Sequence, residues 1–151
     1  MTGWRLAFVA GNEMLIKAYG TVKDNTDSGQ FIGIQKAGAY ALSHPEITRQ
    51  TCKHYEKRMD LLCKVLNELG FDAVKPKGSF YCYVEAPKGV KDVIFKSAEE
   101  VAEYFIKEAL ISVVPWDEEK AYLRFSVTYE GNDEEMMDEL KKRLSKLELV
   151  F

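Results

Sequence analysis

Met1-Thr2-Gly3-Trp4-Arg5-Leu6 stands at the start of the chain, and the apolar residues 6–10 lead from it to Gly11. A turn feeding directly into an apolar run predicts a short buried strand over residues 6–10. Ordinary domains begin with a few loosely held residues at their surface, so this opening predicts a piece of a longer protein. A guanidinium at the entry of a buried strand needs an anion, and we therefore expect Arg5 to serve a partner outside this chain.

The composition limits the possible classes of protein. The 151 residues suit one ordinary domain, or a small domain with part of another. Apolar residues make up 46%, enough for a core, and the net charge of −3 comes from basic residues scattered among acidic ones. The sequence lacks the clustered basic residues that would predict nucleic-acid binding. It also has no apolar run that approaches the ~18 residues of a membrane span. Three widely spaced cysteines predict neither a disulfide framework nor a zinc site. A cytoplasmic protein is expected.

The first half of the chain reads as helices. Asn12 is a suitable cap for a helix over residues 12–22, and a second helix is predicted over residues 30–42. Ser43 and Glu46 have the spacing of a capping box at the start of a third helix. This long helix is predicted over residues 45–70, where Gly70 ends it, and it would bridge two domains.

The second half adds strands to helices. Four strands are predicted, over residues 71–76, 78–85, 111–114 and 121–128. Residues 87–96 are predicted to form a loop. Two further helices are expected, one capped by Ser97 and running to about Leu110, the other capped by Asn132.

The order of elements predicts an α+β fold with two parts. Residues 46–151 are expected to form a small α+β domain with three or four strands and helices on one face. Residues 1–45 are expected to be the tail of a different, α/β domain.

Two arginines are the candidate binding residues. Arg5 precedes the predicted first strand, and Arg124 lies on the polar side of the alternating strand over residues 121–128. Arginine's planar fork suits phosphate and carboxylate groups. The alternative is an ordinary surface arginine beside Trp4 and a solvated strand face around Arg124. Tyr81, Tyr83 and Trp116 could line a pocket or pack as ordinary strand residues.

Three motifs carry a resemblance to a known family. They are Met1-Thr2-Gly3-Trp4-Arg5-Leu6, Lys77-Gly78-Ser79-Phe80-Tyr81 and Tyr122-Leu123-Arg124-Phe125-Ser126. In this order they resemble the C-terminal part of class I and II pyridoxal-phosphate aminotransferases of the aspartate aminotransferase fold. The resemblance implies that residues 1–45 end the large cofactor-binding domain and residues 46–151 are the small C-terminal domain.

The resemblance also implies a reaction and roles for the two arginines. Arg5 would bind the phosphate of pyridoxal 5′-phosphate and Arg124 the α-carboxylate of the substrate. The enzyme would be a homodimer that transfers an amino group between an amino acid and a 2-oxo acid. Residues 23–38 resemble the branch that includes LL-diaminopimelate aminotransferase and broad aspartate-type enzymes. Pro-Trp-Asp-Glu at residues 115–118 departs from the Pro-Gly-x-x-Phe-Gly of many relatives, so the substrate is left open.

The Schiff-base lysine of the family has no counterpart in this chain, because the four residues before Arg5 include no lysine. No catalytic residue is therefore assigned, and the chain alone is expected neither to hold the cofactor tightly nor to transaminate. The alternative is a stand-alone carboxylate-binding or interaction module derived from such a domain. A plain α+β domain without a ligand is a third possibility.

Overall fold

A computed structural model describes residues 2–91 and 93–151 of the chain. The chain divides after Thr51 into two units. Within the described residues there are five α-helices and two three-stranded antiparallel sheets. The predicted α+β class is confirmed, with six strands in place of the expected three or four. The assignment of residues 1–45 and 46–151 to two enzyme domains stays a prediction.

The first unit opens with a short 3₁₀ turn, Thr2–Trp4, followed by Arg5 in the left-handed region at φ 53°. Residues 6–10 are irregular and largely exposed, so the predicted strand is wrong. A strand needs a neighbour for its backbone hydrogen bonds, and none of the described residues pairs with this run. Leu6 packs instead against Gly38, where a β-carbon would collide with the leucine side chain.

Two helices make up most of the first unit. Helix α1 spans Glu13–Thr26, and its N-terminus is capped as predicted, since the Asn12 side chain accepts the Met14 N–H at 2.9 Å. It runs four residues beyond the predicted end, and an ion pair of 2.7 Å between Lys23 and Asp27 closes its last turn. Helix α2 spans Ile32–Leu42.

Helix α3 spans Pro45–Glu68, close to the predicted limits. Its predicted capping box is wrong: the Ser43 hydroxyl donates to the Ala39 carbonyl at 3.1 Å and so belongs to the end of α2. The predicted stop at Gly70 is confirmed. Gly70 has φ 95° and donates its N–H to the Asn67 carbonyl, while Phe71 N–H reaches the Leu66 carbonyl. These two bonds form a Schellman motif, which requires a left-handed residue at the helix end.

The larger sheet of the second unit contains β1 (Tyr81–Glu85), β4 (Val114–Asp117) and β5 (Ala121–Ser126), in the order β1-β5-β4. The prediction that Pro115 closes a strand over residues 111–114 is wrong, because Pro115 lies inside β4. An edge strand tolerates a proline, since one side of its backbone makes no ladder bonds.

Short strands form the second sheet: β2 (Gly89–Val90), β3 (Val93–Ile94) and β6 (Leu149–Val150), in the order β3-β2-β6. The loop predicted over residues 87–96 therefore contains a hairpin. The strand predicted over residues 71–76 is absent, and these described residues are irregular. There the Asn67 side chain accepts the Ala73 N–H at 2.8 Å and donates to the Ala73 carbonyl at 3.0 Å, replacing a partner strand.

The last two helices begin as predicted. Ser97 caps α4 (Ala98–Tyr104) by accepting the Glu100 N–H at 3.2 Å, and the helix continues as a π-helical turn, Phe105–Ala109. Asn132 caps α5 (Asp133–Leu144). None of the helices in the described ranges is long and apolar enough to cross a membrane.

The core of the second unit fixes the orientation of β5. Leu123, Phe125 and Val127 are buried against the helices, as the alternating pattern predicts. Their neighbours Tyr122, Arg124 and Ser126 therefore point to the opposite face of the sheet. A register shift of one residue would bury the arginine, so the hydrophobic alternation fixes where Arg124 stands.

Candidate functional site

Arg124 occupies the middle strand of the larger sheet. Its backbone lies opposite Tyr83 of β1 and Val114 of β4. A central strand anchored by buried neighbours is a rigid support for a binding side chain. β5 consequently holds Arg124 in a defined position on the polar face of the sheet.

The Arg124 guanidinium is partly enclosed and incompletely satisfied. Its central carbon lies 4.3 Å from the centroid of the Tyr81 ring, a cation–π contact. Its Nε is buried and has no hydrogen-bond partner among the described residues. An unsatisfied buried donor carries a penalty of roughly 1–3 kcal/mol, so this atom marks a place where an acceptor from a ligand would be stabilising.

Three further aromatic rings lie beside Arg124 on the same sheet face. The Tyr83 ring centroid is 5.7 Å from that of Tyr122 and 6.4 Å from that of Trp116. The Trp116 indole donates to the Glu118 carboxylate at 2.7 Å. Desolvation raises the pKa of Tyr83, as does the Glu118 charge, while Arg124 opposes them. The tyrosine hydroxyl therefore stays protonated and can serve as a neutral donor.

Arg5 lies in the first unit, and its side chain is exposed. At φ 53° its backbone has a conformation that a non-glycine residue adopts at some cost. The exposed guanidinium is open to an anion, and the phosphate-binding role expected of Arg5 stays a prediction. One arginine supplies only part of the donors that a phosphate group accepts.

The other arginines of the second unit show what a structural arginine looks like in this chain. Arg58 is 8% exposed and donates to the Asp133 carboxylate at 2.8 Å, the Tyr129 carbonyl at 2.6 Å and the Val127 carbonyl at 3.1 Å. Arg143 donates to the Glu139 carboxylate at 2.8 Å. Sequence reasoning missed Arg58. The available signal was its place on α3 between Tyr55 and Leu62, in the apolar stripe.

Cys63, Cys82 and His44 each contact a neighbouring side chain. Burial raises the pKa of Cys82 to about 12, and its Sγ lies 3.9 Å from that of Cys63, which is also buried. His44 stacks on Tyr40 with ring centroids 3.8 Å apart. Among the described residues, no group of three potential ligands could hold a metal ion.

A cavity of about 310 Å³ lies between β5 and α5, bordered by Phe125, Leu140 and Arg143. Its lining is mainly apolar, and Arg143 is already paired with Glu139. The face that carries Arg124 is therefore the better candidate for a charged ligand.

Comparisons with known proteins cover all or nearly all of the chain. The family model described as "Aminotransferase class I and II" matches residues 1–144. An LL-diaminopimelate aminotransferase from Methanocaldococcus jannaschii is 49% identical in an alignment that covers 100% of this chain and 39% of that enzyme. The chain thus spans about two fifths of the length of this curated relative.

Solved structures show the same partial coverage. A substrate-bound BacF structure from Bacillus subtilis aligns with a TM-score of 0.84 and 32% identity, over 100% of this chain and 38% of that one. An aromatic aminotransferase from Pyrococcus horikoshii aligns with a TM-score of 0.80 and 30% identity, over 97% of this chain and 39% of that one.

Proposed function

This chain belongs to the class I and II aminotransferases, and we propose that the protein containing it transfers an amino group between an amino acid and a 2-oxo acid. The family depends on pyridoxal 5′-phosphate, which when bound supplies the electron sink for the chemistry at the substrate α-carbon. Residues 1–45 are proposed to end the cofactor-binding domain and residues 46–151 to form the small domain. The proposed assembly is a homodimer.

Arg124 is proposed to bind the substrate α-carboxylate. The observation that carries this proposal is its buried Nε, which has no acceptor within residues 2–91 and 93–151, on a guanidinium that the Tyr81 ring covers on one side. A carboxylate satisfies two arginine donors at once through a bidentate pair of charge-assisted hydrogen bonds. The rigid strand then sets the position of the bound substrate.

Arg5 is proposed to bind the cofactor phosphate. Its exposed guanidinium is open to an anion, but a single arginine gives a weak phosphate site. No residue of this chain is assigned as catalytic, because the lysine of the family motif has no counterpart before Arg5. Residues outside this chain are proposed to complete the site.

The proposed amino donor is LL-diaminopimelate, supported by the 49% identity to an enzyme of that name. The loop Pro-Trp-Asp-Glu at residues 115–118 precedes the arginine strand and is proposed to shape the pocket. A substrate panel with LL-diaminopimelate, aspartate and phenylalanine tests this choice. Equal or better kcat/KM with either of the other two amino acids would contradict it.

The role of Arg124 is tested in the intact protein with Arg124→Gln, using Arg49→Gln on an exposed part of α3 as the matched control. Loss of two charge-assisted hydrogen bonds predicts a fall in kcat/KM of about 10²-fold. The visible absorption of the bound cofactor should stay unchanged, and Arg49→Gln should behave as the parent protein. A kcat/KM within threefold of the parent for Arg124→Gln would refute the assignment.

The 151-residue chain alone separates the enzyme proposal from a carboxylate-binding module. With added pyridoxal 5′-phosphate we expect no visible band that persists through gel filtration and disappears on borohydride reduction. Such a band would overturn the proposed division of the site. Carboxylate binding by the isolated chain that is lost in Arg124→Gln would favour the module instead.

A further inference from the structure

We propose that Tyr81 is a positioning residue for Arg124, holding the guanidinium where a carboxylate can reach it. The proposal rests on the proposed role of Arg124 as the carboxylate-binding residue. Tyr81 is the first residue of β1 and pairs with Ser126, two residues along β5 from the arginine. Diagonal neighbours of this kind are within reach when one side chain is aromatic and the other long. The 4.3 Å separation of the Arg124 carbon and the ring centroid shows that this reach is used.

The Tyr81 ring is itself held in place by the residues before it. The Ser79 hydroxyl accepts the Tyr81 N–H at 3.1 Å, and Ser79 has φ 87°, a conformation rare for a residue with a side chain. The Phe80 ring lies 4.6 Å from the Tyr81 ring and 5.7 Å from that of Tyr55 on α3. Backbone strain of this kind persists only where surrounding contacts enforce it. The turn into β1 therefore fixes the direction in which Tyr81 points.

The ring explains how a half-buried arginine can remain unpaired. Arginine is weakly hydrated and favours the face of an aromatic ring. With Tyr81 on one side, the guanidinium is stabilised although no carboxylate in the described ranges forms a salt bridge with it. An acidic neighbour would compete with a carboxylate ligand. The Arg124 Nε stays buried and without an acceptor in the described part of the chain. Asp133 stabilises the Arg58 charge by accepting a hydrogen bond from its Nε. The Tyr81 ring stabilises the Arg124 charge without occupying the Nε donor.

The test compares Tyr81→Phe, which keeps the ring, with Tyr81→Leu, which removes it, in the intact protein. Pimelate serves as the probe, since it has both carboxylates of LL-diaminopimelate and no amino group to transfer. Tyr81→Phe should keep the inhibition constant for pimelate within twofold. Tyr81→Leu should raise it about 3- to 30-fold, the range of a partly desolvated cation–π contact. KM for LL-diaminopimelate should rise by more than kcat falls.

Two controls separate positioning from general damage. Cadaverine, which is diaminopimelate without its two carboxylates, should inhibit Tyr81→Leu and the parent protein equally. Tyr104→Leu removes another half-buried tyrosine, one that contacts Phe95, and should leave the pimelate constant unchanged. If Tyr81→Leu fails to fold by circular dichroism, Tyr81→Met replaces it as a variant without a ring whose unbranched, flexible side chain fills irregular gaps.

A double-mutant cycle with Arg124→Gln distinguishes this inference from the function on which it rests. Tyr81→Leu should have no further effect on pimelate binding once Arg124 is replaced. If Arg124→Gln leaves pimelate binding unchanged, the carboxylate role of Arg124 fails. If Arg124→Gln weakens it and Tyr81→Leu does not, only the positioning role fails. An equal effect of Tyr81→Leu in both backgrounds would also overturn the positioning role.

Discussion

Replacement of Arg58 by methionine tests whether this buried arginine joins α3 to the segment that follows β5. Arg58 donates to the Val127 and Tyr129 carbonyls and to the Asp133 carboxylate, and its guanidinium lies 4.1 Å from the Tyr129 ring centroid. Methionine retains most of the packing of the aliphatic stem. The variant therefore isolates the loss of the hydrogen bonds and the charge.

The expected loss of stability follows from the acceptors that have no donor once the guanidinium is removed. Each buried acceptor without a donor carries a penalty of roughly 1–3 kcal/mol. Tyr129 is only half-buried, so water can replace part of the hydrogen bonding that its carbonyl loses. We expect Arg58→Met to lower the free energy of unfolding by about 3 kcal/mol, a large share of the ~5–15 kcal/mol typical of a domain. The corresponding fall in Tm is roughly 6–12 °C.

Urea unfolding followed by circular dichroism measures this loss, with Arg49→Met as the matched control on the exposed part of the same helix. The control should change the free energy of unfolding by less than about 0.5 kcal/mol. A loss below about 1 kcal/mol for Arg58→Met would refute the view that these hydrogen bonds hold α3 to the segment that follows β5.

The same cluster predicts a dependence on pH. Desolvation alone would raise the pKa of Asp133, but hydrogen bonds from Lys57 and Arg58 outweigh it and hold this pKa below its ordinary value of 3.8. A depressed folded-state pKa gives stability that is present above the unfolded-state value and is lost as the pH falls through the folded-state value. The parent protein should therefore lose stability below about pH 4, and Arg58→Met should lose less over that interval. Parallel acid unfolding curves for the two proteins would contradict this account.

Two other predictions concern single positions. Iodoacetamide should modify exposed Cys52 readily and leave Cys63 and Cys82 unmodified until denaturant is added. The reason is that burial raises the pKa of the Cys63 and Cys82 thiols. Mass spectrometry that finds a labelled Cys82 in the native protein would contradict the burial of this residue. Gly70→Ala should lower the free energy of unfolding by about 1–2 kcal/mol, because an alanine is strained at φ 95°, and an unchanged urea midpoint would show that the Schellman motif contributes little.

Local signals made several parts of the fold predictable. The alternation over residues 121–128 identified β5 and the side of the sheet on which Arg124 lies. The caps at Asn12, Ser97 and Asn132 could be predicted because a cap depends on a few neighbouring residues. The Ser43 cap failed because the chain between α2 and α3 is so short that Ser43 still belongs to the earlier helix.

The elements that could not be predicted depend on partners distant in the chain. Residues 6–10 look like a strand, but a strand exists only where another backbone accepts its hydrogen bonds. The two-residue strands around residues 87–96 are too short to show alternation. The Arg58 cluster joins residues 69 to 75 positions apart. No local pattern indicates which acceptors a buried arginine will find.

The candidate site shows the same limit, and it also shows how a binding arginine differs from a structural one. The sequence placed Arg124 on the polar face of β5, but the burial of its Nε depends on the register that sets Tyr81 opposite Ser126. In the same unit the fold supplies Arg58 with three acceptors. The fold can therefore supply acceptors to an arginine, and the lack of an acceptor at the Arg124 Nε needs another explanation. Both guanidiniums lie over a tyrosine ring, but only Arg58 also has a carboxylate partner among the described residues. Where the ring stabilises the charge without an acid, the donors stay available, and that combination is what recognition of a carboxylate requires.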